Sequence, residues 1–149
     1  MGFVPPEGPL TAQLMYLGQG PGEQEALQSR PFVEVAPAGG RLSQWVHKAG
    51  GQRTDALVTN VVWCWKPKGY KAGLPFGNDE PTPAEIDHCY RAHLHPLIDQ
   101  MPNLRWIIPL GAPAGRWALG VPEGQAYEPF VGTTSEKELP CLTPPSPTE

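Results

Sequence analysis

Apolar positions along the chain come in short runs, broken again and again by glycine and proline. Gln13–Leu17 is an almost unbroken apolar run and predicts a buried strand. From Gly39 to Lys48 the spacing becomes helical, with Leu42, Trp45 and Val46 on one face and Gly50-Gly51 as the stop. Ala56–Trp63 is rich in β-branched residues and predicts a second strand. Lys66–Glu80 carries glycines, prolines and lysines and predicts a long loop. Thr82-Pro83-Ala84-Glu85 is a capping box with proline at the first helical position. The helix it starts should reach Gln100 and bury Ile86, Cys89, Tyr90, Leu94 and Leu97 or Ile98, with a kink or early end at Pro96. Leu104–Leu110 predicts a third strand, ended by Gly111, and Ala114–Leu119 a short helix. After Gly120 the pattern weakens, and Pro140–Glu149, with its four prolines, predicts an extended or disordered tail.

Strands that alternate with helices predict a parallel sheet, with ligands outside the carboxyl ends of its strands. Gly18–Glu25, Asn60 and Gly111 would all lie along that edge. A length of 149 residues suits one core, so residues 1–139 are expected to form one domain and 140–149 the tail. Five Trp and 40% apolar residues suffice for a packed interior, while 20 Pro and 17 Gly predict an irregular, loop-rich α/β domain. There is no long apolar run and no charged-then-apolar start. A soluble, cytoplasmic monomer without a membrane partner is therefore expected. Three cysteines do not make a disulfide framework. The formal charge of −4 requires any contact with nucleic acid to be local.

Candidate chemistry starts at Gly18-Gln19-Gly20-Pro21-Gly22-Glu23-Gln24-Glu25, directly after the first strand. Such a turn is rigid, exposes backbone N–H groups and lets a planar ligand come close. Taken alone, the spacing of its glycines describes an ordinary strand-to-helix turn better than a ligand site. Arg30-Pro31-Phe32-Val33, Thr59-Asn60-Val61-Val62-Trp63-Cys64, Pro81-Thr82-Pro83-Ala84-Glu85-Ile86-Asp87-His88-Cys89 and Ile108-Pro109-Leu110-Gly111-Ala112 follow in order. Together these motifs resemble the uracil-DNA glycosylase superfamily, closest to its iron–sulfur family 4 branch, over roughly residues 10–120. That branch reads Gly-Glu-Ala-Pro-Gly-x-x-Glu, Gly-x-Pro-Phe-x-Gly, Thr-Asn-x-x-Lys-Cys, Pro-Thr-Pro-x-Glu-Ile-x-x-Cys and Ile-x-x-Leu-Gly-Ala.

The resemblance implies a three-layer α/β/α fold with a central, mainly parallel four-stranded sheet, truncated here at the C-terminus. It also implies a hydrolase of base-excision repair that takes a flipped uracil, or a related base, from DNA and cleaves its N-glycosidic bond. Phe32 would stack on the base; its other role is core packing. Asn60 would read the O4/N3 edge, since an amide both donates and accepts; otherwise it caps a strand end. Gly18, Gly20 and Gly22 would shape the pocket, with the Gly20-Pro21-Gly22 backbone donating to O2 of the leaving base. Lys66 and Lys68, beside Tyr70, Lys71, Trp63 and Trp65, would touch DNA or form a solvated loop. The related covalent capture of DNA through a loop histidine is not supported, because Trp63–Asn78 contains none.

The departures from the pattern matter as much. Gln19 stands where the branch has glutamate, so it would orient water rather than polarise it, with slower chemistry or a different preference expected. Glu23 or Glu25 would either substitute or be solvated acids at a helix start. The branch's four-iron cluster takes four cysteines; Cys64 and Cys89 match two of them, and Cys141 lies in the tail. The pair would be leftover thiols or partners across the former cluster site; a missing N-terminal segment is the second reading. The branch's His-Pro-Ser has no counterpart in Leu139–Pro147, and His47, His88, His93 and His95 are expected at the surface. A catalytically impaired relative that binds a base, nucleotide or protein without cleavage is the alternative.

Overall fold

The computed structural model describes residues 2–67 and 79–121. Strand β1 (Leu14–Gly18) runs between β2 (Leu57–Asn60) and β3 (Trp106–Pro109), parallel to both. Every other residue of a strand faces the same side. Met15, Leu17 and Leu57 therefore enter one core with Val61, Trp63, Tyr90, Leu94 and Leu97. Tyr16 and Val58 turn to the other face, where Phe32, Leu42 and Val46 pack. The sheet is thus covered on both faces, as a three-layer α/β/α fold requires. Among the described residues the sheet has three strands. The expected fourth strand and the 140–149 tail lie outside those residues, as do Lys68, Tyr70, Lys71 and Cys141.

Helix α1 (Glu23–Gln28) follows the glycine turn, and α2 (Pro37–Lys48) starts at a proline placed where its missing N–H costs nothing. Gly39, Leu42 and Val46 form the buried stripe of α2. Trp45, expected on that face, is 57% exposed, because it lies about a sixth of a turn off the stripe's edge. The second strand stops at Asn60, three residues before the expected end. Val61–Trp63 remain buried, but their backbone follows the turn after β1: Val61 N–H donates to Gly18 C=O and Val62 N–H to Gln19 C=O. The N-terminal segment runs antiparallel to this stretch, with bridges Phe3 to Cys64 and Glu7 to Val58.

Thr82 and Glu85 form the expected capping box at the start of α3 (Pro83–Cys89). Pro96 does not end the helix. The chain instead widens to a π-helical turn over Tyr90–Leu94 and continues as α4 (His95–Asp99). A proline at 96 cannot donate to the Ala92 carbonyl and its ring crowds that oxygen, and a wider turn relieves both problems. Helix α5 (Ala112–Leu119) begins two residues earlier than expected, directly after Gly111, whose φ of 89° suits glycine.

Candidate active site

The register of the sheet builds the site. Gly18 at the tip of β1 pairs with Asn60 at the tip of β2. A Cβ at position 18 would sit 2.3 Å from Asn60 Oδ1 and 2.5 Å from Phe32 Cζ. Only glycine allows that approach, so the aromatic ring and the carboxamide meet at the first glycine of the turn. Phe32 is 7% exposed and Asn60 3%. Among the described residues Asn60 Nδ2 is buried without a hydrogen-bond partner, as are Thr59 Oγ1 and Arg53 Nε. An orphaned buried donor is costly, and it marks a place built to receive an acceptor. The Asn60 carbonyl is held by the Trp63 indole at 2.9 Å, which fixes the backbone behind the amide.

Phe32 has φ 49°, a left-handed conformation that costs a non-glycine residue about 1–2 kcal/mol. Two charged side chains hold it there. Glu25 accepts from the Phe32 N–H at 2.6 Å and from the Gly22 N–H, so a single carboxylate ties the turn to the aromatic ring. Glu25 is buried, not the solvated helix-start acid that its position suggested. Its partners are backbone groups, and in this structure it supports the site. Gly22, in turn, spends its N–H on Glu25, and Pro21 has none. The donor that remains in the Gly20-Pro21-Gly22 run is Gly20, which is exposed.

On the other side of the ring's backbone, Arg53 donates to the carbonyls of both Pro31 and Phe32. Arg53 comes from the single 3-10 turn Arg53–Asp55 before β2. Its Nε lies 3.8 Å from Glu7, which also takes a two-pronged bond from Arg30 at 2.6 and 2.9 Å. Burial draws the Arg53 pKa down, with Glu7 opposing. The Arg30 hydrogen bond holds the Glu7 carboxyl below its ordinary range, with burial working against it. Sequence reasoning missed Arg53, which sits in a polar stretch between a helix and a strand.

Behind the turn lies a cavity of about 490 Å³, lined by Gln19, Gly20, Pro21, Cys64, His88 and Cys89 among others. Neither Phe32 nor Asn60 lines it; Gln19 and Gly20 separate the two regions. Gln19 is half-buried at this boundary. Cys64 is exposed and Cys89 buried. Burial first, and then the neighbouring Cys89, push the Cys64 thiol up. A four-iron cluster takes four ligands. Among the described residues Cys64 and Cys89 would supply two of the four, and no third His, Cys, Asp or Glu side chain groups with them.

Lys66, expected to face DNA, spends its charge on Glu85 at 2.8 Å and also reaches the Glu80 carbonyl at 3.4 Å. That bond, with the Thr82 backbone second, lowers the Glu85 pKa. His93 is not a plain surface residue: it stacks on Trp63 with centroids 5.0 Å apart and meets Phe3 edge-on. His47 and His88 are exposed. His95 is half-buried against Tyr90.

The sequence model described as the uracil DNA glycosylase superfamily matches residues 5–148. Three proteins named type-4 uracil-DNA glycosylase are similar to this chain. That of Pyrobaculum aerophilum is 31% identical over 134 residues, 90% of this chain and 57% of its own length. That of Thermotoga maritima is 34% identical over 108 residues, 72% of this chain and 50% of its own length. That of Archaeoglobus fulgidus is 33% identical over 87 residues, 58% of this chain and 38% of its own length. The chain thus spans about half the length of these relatives.

Proposed function

The chain belongs to the uracil DNA glycosylase superfamily, and from that premise we propose that it hydrolyses the N-glycosidic bond of uracil, or a related base, in DNA. The observation that carries this reading is the meeting of Gly18, Phe32 and Asn60, with a buried amide donor left open beside an aromatic ring. A base extruded from the stack enters edge-first beside Gly18. The Phe32 ring supplies the stacking plate, a contact worth about 1–3 kcal/mol. The Asn60 amide donates to O4 and accepts from N3–H. Cytosine reverses that pattern, with an amino donor where uracil has O4, so its entry would leave both Asn60 groups mismatched.

Bond cleavage leaves negative charge on the base and positive charge on the sugar. The Gly20 N–H, at the outer end of the turn, donates to O2 as that charge grows. Gln19, between the turn and the cavity, orients the attacking water through its amide. It carries no charge, so catalysis here rests on stabilising the leaving base and on placing the water. No step passes through an iron–sulfur cluster. DNA is the macromolecular partner in this reading. Action as a monomer in the cytoplasm is part of the same proposal; among the described residues no helix is long and apolar enough to cross a membrane.

Release of free uracil from single- and double-stranded uracil-containing oligonucleotides tests the proposal. Turnover by the native chain and its fall to a reduced but measurable level in Phe32→Ala and Asn60→Ala supports it. Tight binding of the same oligonucleotides without any release overturns it in favour of a binding protein.

A further inference from the structure

The backbone of Phe32 is gripped from both ends by groups that come from distant parts of the chain. Its N–H goes to Glu25, and its carbonyl, together with that of Pro31, goes to the Arg53 guanidinium. The planar fork of an arginine suits two neighbouring carbonyls, whereas a lysine ammonium offers a single point charge. Arg53 is itself steadied by Glu7, which Arg30 holds from the solvent side. The first turn of α2 closes the remaining space, since a Cβ at Gly39 would lie 2.4 Å from the Phe32 carbonyl oxygen. A left-handed conformation at a phenylalanine persists only where its surroundings over-determine it. Here they do, and the direction of the side chain follows from the backbone.

We propose that Arg53 is a positioning residue: it fixes the left-handed backbone of Phe32 and so sets the plane on which the extruded base stacks. Arg53 touches neither base nor water. It acts through the two carbonyls, and Glu7 acts through Arg53. The inference rests on the reading of Phe32 as the stacking plate, but its structural half stands without it.

Two measurements separate these halves. In Arg53→Lys and Arg53→Met, the backbone carbon chemical shifts of Phe32 should move from left-handed values toward those of an ordinary loop, while the shifts of β1 and β2 stay put. Unchanged Phe32 shifts in both variants overturn the proposal, whether or not the chain releases uracil. If Arg53→Met fails to fold, Arg53→Lys and the milder Glu7→Gln carry the test, the latter with a smaller shift in the same direction.

The second measurement is a cycle of uracil-release efficiency. Arg53→Lys is expected to lower kcat/KM about 10-fold in the native background and to have no further effect once Phe32 is alanine, because coupled positions are not additive. Losses that multiply in the double variant show that Arg53 acts independently of the ring, and they overturn the proposal. A native chain that releases no uracil removes the glycosylase reading and leaves the chemical-shift result to decide the role of Arg53.

Discussion

The two sides of the glycine turn are built on opposite principles. On the β1–β2 side, Phe32 and Asn60 are closed in, and charged side chains fix the backbone around them at short range. On the other side, Gln19, Cys64 and Cys89 border an open cavity whose charged neighbours Lys66 and Glu85 neutralise each other. The first side has little freedom to adapt, and among the described residues the Asn60 amide is one of its buried polar groups left without a hydrogen-bond partner, with Thr59 Oγ1 and Arg53 Nε. The second has room but no convergent set of ligands among the described residues. Rigidity and an unmet hydrogen bond, rather than empty volume, mark the place where chemistry is expected, since preorganised polar groups act only when held in position.

That contrast is most exposed to substitution at Asn60. Asn60→Ala should reduce uracil release on the order of 100-fold in kcat/KM, as loss of a positioned polar group does in other active sites. A loss of that size from Gln19→Ala with Asn60→Ala near native would reverse the roles of the two sides. Next comes Gly18→Ala, whose methyl group has no space beside Asn60 Oδ1 and the Phe32 ring. Overpacking of this kind costs about 1–3 kcal/mol, read from denaturant unfolding, and release should fall with it. A variant as stable as the native chain would mean that the tip of β1 is looser than described.

The cavity side should yield far less. Cys64→Ala should change stability by no more than about 0.5 kcal/mol, as for an exposed position without a special partner. Because the Cys64 thiol is pushed up from 9.0, its alkylation by iodoacetamide should run slower at pH 7 than that of a free cysteine and keep accelerating above pH 9.0. An unusually fast reaction at neutral pH would point to an activated thiol and give the cavity a chemistry of its own.

The smallest effect concerns acid. The Glu7 carboxyl titrates below 4.5 in the folded chain, so its pairing stabilises the fold above that pH and is lost as the pH drops through the folded value. Replacement by glutamine should flatten the acid limb of the stability curve by less than about 1 kcal/mol, because the Arg30 pair is half in solvent. A larger flattening would mean that Glu7 braces Arg53 more strongly than the exposed pair implies.

How much of this was legible in the sequence depended on how far each residue's partners lay along the chain. The Thr82–Glu85 capping box is a local bond pattern, and it formed as read. The order of Gly18, Phe32 and Asn60 was readable as motifs; parallel pairing brought Gly18 and Asn60 together, and the Phe32 ring packs against Gly18. The direction of the Gly22 N–H was not readable, because a sequence does not say which way a peptide plane turns. Glu25 looked solvated, since its second partner lies seven residues away across the turn. Lys66 looked free for the same reason, its partner being 19 residues further on. Arg53 carried no periodic or motif signal at all; only the fold brings it to residues 21 and 22 positions earlier.

The strands are only four or five residues long. At about 3.3 Å per residue, root and tip of each are separated by less than the width of two side-chain layers. Leu17 and Val58 are core residues, yet each stands within two positions of Gly18 or Asn60. A shallow sheet of this kind keeps the core residues on its strands close to the strand tips. Substitutions meant to tune thermal resistance at Leu17 or Val58 should therefore also disturb the placing of Gly18 and Asn60, so that selection on one property drags the other along.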